Sequence, residues 1–321
     1  MDEIPFEDVL RNLTGDEPVS IPLLFHLSDL DQPRAEAFAV QWALLPVERR
    51  RVVARHLADL MEENFQVDFL DVLQTCLRDE DPEVRIAGLD GLWDTTSSGV
   101  VGQIIDLLND DSSEDVRVAA AGALAHYVVL GEWGQVASRT KNRVVTALLA
   151  QIDAGPPRRV YCAALEAIGA AGHPRVSGLI AAAYDSGEPD LQLSAVFAMG
   201  NSADERWLPT VLQEMENYDE AMRIEAARAA GSIGRSDAVP QLAELLYDDN
   251  DEVAFAAIGA LGLIGSGQAR ELLEALRNER ENPVLLEAID DALEEMDLLP
   301  DNFEIHLFDF EAEGRAEEDE D

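Results

Sequence analysis

Apolar side chains recur along most of this chain at helical spacing, and one phrase returns every thirty-one residues: Tyr218–Gly234 is answered by Asp249–Gly265. With Met222 as an anchor, the equivalent positions are Val84, Val116, Val160, Leu191, Val253 and Val284, giving successive spacings of 32, 44, 31, 31, 31 and 31. Four residues after each anchor stands a small side chain (Gly88, Ala120, Ala164, Ala195, Ala226, Ala257, Ala288). Apolar residues follow at five (Leu89, Ala121, Leu165, Val196, Ala227, Ile258, Ile289) and at eight (Leu92, Leu124, Ile168, Met199, Ala230, Leu261, Ala292). Such positions form one stripe of an α-helix. Eleven residues before the anchors, Leu73, Ile105, Leu149, Ile180, Val211, Leu242 and Leu273 mark a second apolar run, so each unit reads as a helical hairpin. Asp81, Ser113, Asp219 and Asn250, three residues before their anchors, predict N-caps. Gly169, Gly200, Gly231 and Gly262, nine residues after theirs, read as helix ends where glycine adopts the left-handed C-cap conformation. A hairpin cannot bury both its faces alone, and a period of this size predicts a stacked array.

The period covers residues 32–298. Its first hairpin, 32–63, is degenerate: Val53 lies 31 residues before Val84, and Trp42 lies 31 before Leu73. Arg49, Arg50 and Arg51 in that hairpin point about 100° apart and read as a solvated face. Residues 1–31 look helical at 6–12 and 19–30 but fall outside the period, as expected of capping helices. The 44-residue spacing implies an insertion of about 13 residues near 128–141, expected as a loop on a binding face. It carries Trp133 between two glycines and a basic island of Arg139, Lys141 and Arg143. Residues 299–321 form an acidic tail, expected to be partly disordered. Within it, 303–310 alternates apolar and polar residues, as a cap on the last hairpin or a docking motif would.

Asp79-Glu80-Asp81-Pro82-Glu83-Val84-Arg85-Ile86-Ala87-Gly88-Leu89 resembles the HEAT repeat, in the short bacterial and archaeal form first described in phycobilin lyases. The resemblance covers roughly residues 32 to 298. It implies an all-α fold: an α-solenoid of about eight HEAT-like helical hairpins wound as a right-handed superhelix, preceded by atypical N-terminal capping helices. It also implies that the second helix of each hairpin lines a concave side. Candidate contacts then stand one residue after the anchors (Arg85, Arg117, Tyr161, Gln192, Arg223, Ala254, Leu285) and six after (Asp90, Gly122, Glu166, Phe197, Arg228, Gly259, Asp290). The partner-binding set expected from these rows and the insertion is Arg85, Arg117, Trp133, Tyr161, Glu166, Gln192, Phe197, Arg223 and Arg228, because aromatic and arginine side chains dominate interface energetics. The arginines have a competing role, laddering with the turn aspartates of adjacent repeats.

Charge narrows the partner. The formal net charge is −42, and Lys141 is the one lysine. Such a surface repels phosphate backbones and anionic membranes, so neither nucleic acid nor membrane is expected, and a basic protein partner is. An acidic, lysine-poor composition also suits a salt-rich cytoplasm. Met1-Asp2-Glu3-Ile4-Pro5 does not read as a signal peptide, and no apolar run reaches the roughly 20 residues of a membrane span, so a cytoplasmic location is expected. Cys76 and Cys162 fall on apolar helix faces and read as buried free thiols.

The five histidines stand as His26-Leu27, His56-Leu57, His126-Tyr127, His173-Pro174 and His306-Leu307. None forms the His-Glu dipeptides that hold two irons in the HEAT-like hydroxylases. Cys-x-x-Cys, His-Glu-x-x-His, phosphate-loop and nucleophile-elbow patterns are likewise missing from the sequence. No catalytic residue, cofactor or metal is expected. The function expected is a non-enzymatic protein–protein interaction scaffold; the alternative is a bilin-lyase-like or other modification enzyme or chaperone acting on a protein-bound ligand.

Overall fold

The computed structural model describes residues 4–15, 17–64, 66–93, 95–279 and 282–298. The expected tail 299–321, with its segment 303–310, lies outside them. Among the described residues the chain is all α-helix and short 3-10 turns, with no strand. Two short helices, α1 (Phe6–Thr14) and α2 (Ile21–Leu24), come first. Eight hairpins follow. They are α3 (Gln32–Trp42) with α4 (Val47–Glu63), α5 (Leu70–Cys76) with α6 (Pro82–Gly91), α7 (Ser98–Asp110) with α8 (Glu114–Glu132), and α9 (Ser138–Ala154) with α10 (Arg158–Ile168). The rest are α11 (Val176–Tyr184) with α12 (Pro189–Ser202), α13 (Leu208–Glu214) with α14 (Glu220–Ile233), α15 (Val239–Leu245) with α16 (Asp251–Ile264), and α17 (Gly267–Glu279) with α18 (Pro283–Leu298). The chain divides into two units, Met1–Ala198 and Met199–Asp321.

In the first unit the stripe of the second helices packs on that of the first. Val84, Val116 and Val160 are fully buried, as are Ala120, Ala164 and Ala195, and they meet a core holding Leu73, Ile105, Leu149 and Ile180. Each large apolar side chain taken from water is worth about 1.5–3 kcal/mol. The helices start where the sequence places caps: Asp81 accepts hydrogen bonds from the backbone N–H groups of Glu83 and Val84, and Ser113 from that of Val116. Two expectations fail here. Arg49, Arg50 and Arg51 are not a solvated face. Arg50 is buried, and Arg49 donates to the carbonyls of Asn12, Leu13 and Glu17, pinning α1 and its following turn to α4. The extra residues near 128–141 are not one long loop. They lengthen α8 and α9, leaving five residues between, because Tyr127, Val128 and Leu130 continue the buried stripe. Gly131 lets α9 close onto α8: a Cβ there would lie 2.7 Å from Lys141 Cβ. Of the thiols, Cys76 is buried, whereas Cys162 is half-buried; both are free.

The second unit repeats the plan in α13–α18, with Val211, Leu242 and Leu273 facing Ala226, Ala257 and Ile289 in its core. Asp219 caps α14 and Asn250 caps α16. None of the glycines nine residues after the anchors takes the left-handed C-cap conformation. The left-handed residues that end α14 and α16 are Gly234, φ 74°, and Gly265, φ 63°. Gly200, Gly231 and Gly262 serve close approach instead. A Cβ at Gly200 would stand 2.8 Å from Ala229 Cα, one at Gly231 2.8 Å from Ala260 Cα, and one at Gly262 3.1 Å from Ala292 Cβ. In the first unit Gly169 is likewise right-handed, φ −51°. The last anchor also shifts. Val284 is 58% exposed while its neighbour Leu285 is buried, although Ile289 and Ala292, five and eight residues after Val284, stay in the core as the period predicts.

Candidate interaction surface

The row one residue after the anchors turns inward. In the first unit Arg85 Nη1 donates to its own repeat's Asp79 carbonyl at 2.8 Å, and Nη2 donates to Asp111 Oδ1 of the next repeat at 2.8 Å. Its Nε lies 2.7 Å from Asp111 Oδ2 but off the N–H axis, an ion pair without a hydrogen bond. Both side chains are buried, and Asp111 Oδ1 also accepts the Ser113 N–H at 2.8 Å, so one carboxylate closes the turn and ties two repeats. Arg50 and Arg51 engage Asp79 and Asp81 in the same way one repeat earlier. Arg117 departs from this pattern because the lengthened α9 puts Gly155 where the turn aspartate would stand. It donates to the Leu108 carbonyl at 3.0 Å and to Gln151 Oε1 at 2.8 Å, and Gln151 in turn donates to Asn109.

In the second unit Arg223 grips Asp248 with two parallel bonds, Nε to Oδ2 at 2.8 Å and Nη2 to Oδ1 at 2.9 Å, and donates to the Asn217 carbonyl at 2.9 Å. Bidentate pairing of this kind is the strong form of the interaction. The Arg223 hydrogen bond holds the Asp248 carboxyl below its usual range, and the carboxylate raises the guanidinium in turn. Asp248 Oδ1 also accepts the Asn250 N–H at 2.9 Å. Around this ladder rung Glu220, Asp249, Asn250 and Asp251 line a shallow open acidic cleft.

Of the sequence-expected contact residues, Arg85, Arg117 and Arg223 therefore act as internal rungs. Gln192 donates to the Tyr184 carbonyl at 3.1 Å and is half-buried. Ala254 and Leu285, in the same row, are buried. What faces solvent is the row six residues after the anchors. Asp90, Gly122 and Phe197 in the first unit, and Arg228 and Gly259 in the second, are exposed. Arg228 is held only by a 3.9 Å contact to Glu225, with 62% of its side chain exposed. Trp133 is 63% exposed beyond the end of α8. Of its basic neighbours, Lys141 pairs with Glu132 at 2.6 Å, while Arg139 and Arg143 are exposed, the Arg143 guanidinium lying near Gly102. The arrangement does not gather the expected residues into one site. Trp133, Phe197 and Arg228 are open, Tyr161 and Glu166 are half-buried, and the other four bond within the chain.

Glu166 has an environment of its own. Ser194, itself buried, donates its Oγ–H to the Glu166 carboxylate, and burial pushes that carboxyl up despite the bond. Burial also pushes up the adjacent Cys162 thiol and the Tyr161 phenol. A thiol raised this way carries less thiolate than a free cysteine, the opposite of an activated nucleophile. Among the described residues, no three His, Cys, Asp or Glu side chains converge as metal ligands. No described helix is long and apolar enough to cross a membrane.

The sequence missed one contributor to the open face: Leu263, 57% exposed one turn beyond Gly259 in α16. Its place in the repeat was the available signal, since it falls on the same outward side of the period as the row six residues after the anchors.

These are the features of an α-helical repeat protein of the solenoid class. The family model described as HEAT repeats matches residues 46–139, 176–254 and 208–294, and the chain belongs to that family. No curated protein matches it. Among solved structures it is similar to human deoxyhypusine hydroxylase in complex with glycerol, at 20% identity over 92% of this chain and 96% of that one, with a TM-score of 0.37. YibA of Escherichia coli matches at 17% identity over 88% and 99%, with a TM-score of 0.45. Importin beta matches at 14% identity over 90% of this chain and 46% of its own, with a TM-score of 0.47. Likenesses this distant say nothing of activity or partner.

Proposed function

We propose that this protein is a non-enzymatic interaction scaffold whose exposed second-helix faces hold a basic protein partner. One observation carries the reading: a row of arginines that could have offset the negative charge is spent inside the fold. Arg50, Arg85 and Arg223 bond turn carboxylates and carbonyls, while acidic residues such as Glu83, Glu252 and Glu287 face solvent. A chain of net charge −42 so arranged presents carboxylates outward and attracts cationic surfaces over a Debye length, about 8 Å at physiological salt. The same field disfavours nucleic acid and anionic membrane as partners. Free Cys76 and Cys162 accord with a cytoplasmic setting.

The test is affinity capture from the native host at low and moderate salt, followed by titration of the purified partner against the full chain. The expected result is one stoichiometric protein of basic character, with an affinity that falls as salt rises. Titration of an acidic partner, or an affinity indifferent to salt, would overturn the reading.

A further inference from the structure

Residues 133–152 are the longest stretch of this chain without an aspartate or glutamate, and they carry three bases: Arg139, Lys141 and Arg143. In a chain of 65 acidic and 23 basic residues an exposed arginine generally finds a carboxylate. Arg158 meets Glu188, Arg159 meets Asp115, Arg175 meets Asp153 and Arg235 meets Glu205, all at the surface. Lys141 behaves likewise, bound to Glu132, which also accepts the Gly172 N–H at 2.8 Å. Arg139 and Arg143 do not. Both are exposed, and among the described residues neither donates a side-chain hydrogen bond nor forms an ion pair. Arg78 is also exposed and unpaired, but Asp79 and Glu80 follow it in the chain.

Arg139 and Arg143 are four residues apart on α9, so they share one face of the helix. That helix opens on Ala137 with no side-chain cap and no acid in its first turn, and its positive end adds to their charge. Arg143 is also placed in advance. Its guanidinium lies on α7 at Gly102, where a Cβ would stand 3.0 Å from Nη2 and 3.5 Å from Nη1. A glycine inside a helix costs about 1 kcal/mol relative to alanine, and here it leaves room for a cation without a carboxylate. Trp133, 63% exposed, stands in the turn that leads into α9. Tryptophan and arginine are the side chains that dominate interface energetics.

We infer that this face binds an acidic segment of a partner protein, with two of its carboxylates on Arg139 and Arg143 and an apolar side chain against Trp133. The surface is separate from the exposed second-helix faces, and the inference goes beyond the basic-partner reading without resting on it. Charge complementarity selects the occupant. The guanidinium fork matches a carboxylate, and the lack of acids in 133–152 removes the competitor that neutralises other exposed arginines. The net charge of −42 still opposes nucleic acid, whose phosphates repeat along its whole length. It is screened beyond about 8 Å at physiological salt, so a short acidic segment responds to the local bases.

The experiment uses the full chain and fluorescein-labelled synthetic peptides at about 0.15 M NaCl, read by anisotropy. One peptide carries two glutamates and a leucine in a serine–glycine background, and a second has glutamine for glutamate. The expected result is that the glutamate peptide binds tighter by about tenfold or more, the scale of charge-assisted pairing. The double variant Arg139→Gln, Arg143→Gln is expected to weaken it by about tenfold or more at an unchanged melting temperature, since neither side chain bonds inside the fold. The double variant Arg206→Gln, Arg228→Gln removes the same charge from the second unit and is expected to leave binding unchanged. If the glutamate peptide binds no tighter than the glutamine one, or both double variants bind alike, the inference is refuted while the basic-partner reading stands. Displacement of the peptide by an equal concentration of single-stranded oligonucleotide would also refute it, because phosphate would then be the ligand.

Discussion

Gly231→Ala and Gly259→Ala are the same chemical change in neighbouring helices of one unit, and the structure assigns them opposite outcomes. Each replaces a helix-interior glycine, so each gains about 0.8–1 kcal/mol of helix propensity. At Gly259 the new methyl group meets nothing, and that gain is the net effect. At Gly231 the methyl would stand 2.8 Å from Ala260 Cα and 3.0 Å from Ala260 Cβ. Neither atom belongs to a side chain that can rotate away, so α14 and α16 must separate. Overpacking of this kind costs about 1–3 kcal/mol, which cancels the propensity gain and leaves Gly231→Ala neutral to destabilised by about 2 kcal/mol. The difference between the two variants, about 1–3 kcal/mol, isolates the packing contribution, because propensity and unfolded-state effects are common to both. Urea unfolding followed by far-ultraviolet circular dichroism measures it. Repeat arrays can unfold in parts, so the comparison is made on the transition both variants share, with equal m-values as the criterion. If Gly231→Ala stabilises as much as Gly259→Ala, the glycines nine residues after the anchors are not spacers between stacked helices.

Three other perturbations follow from named contacts. Arg223→Ala leaves the Asp248 carboxylate, 11% exposed, without its guanidinium, and destabilisation of about 2–4 kcal/mol is expected from urea midpoints at neutral pH. Because Asp248 is held below its ordinary pKa, its contribution is present above about pH 3.9 and lost as pH falls through the lower folded value; the variant's stability curve should flatten over that acid window, and an unchanged acid limb would refute the pairing. Glu166 has the opposite sign: its folded pKa is raised, so stability is full below about pH 4.3 and lost as pH rises through the folded value. Glu166→Gln is therefore expected to melt higher than the parent at pH 8 and close to it at pH 4, and equal melting at both would sink that account. Finally, a chain of net charge −42 repels itself, so raising NaCl from about 0.05 to about 0.5 M should raise the melting temperature, and a fall would show that the ion-pair ladder outweighs the repulsion.

The thirty-one-residue period made the hairpins legible because burial obeys helix geometry: Leu73, Ile105, Val211 and Leu242 are all in the core that their spacing implied. What spacing could not decide was which flank of each second helix faces outward. Arg223 and Arg228 are five residues apart, about 140° around the helix, and look alike as sequence. Arg223 becomes a rung only because Asp248, twenty-five residues away, comes within 2.8 Å; Arg228 meets no such carboxylate and stays 62% exposed. The lengthened hairpin shows the same dependence. Residues 128–132 carry turn-like glycine and glutamate at 131 and 132, yet helix wins because Val128 and Leu130 find a buried stripe. Glycine was the most ambiguous letter. Gly231, Gly234 and Gly259 are a spacer, a left-handed cap and an open helix surface, and only the neighbouring helix, the local φ and the empty space above tell them apart. A usable rule remains in the offset itself: in the second unit Gly200, Gly231 and Gly262, nine residues after their anchors, face the next helix, Gly234 and Gly265, twelve after, end their own, and Gly259, six after, is turned outward.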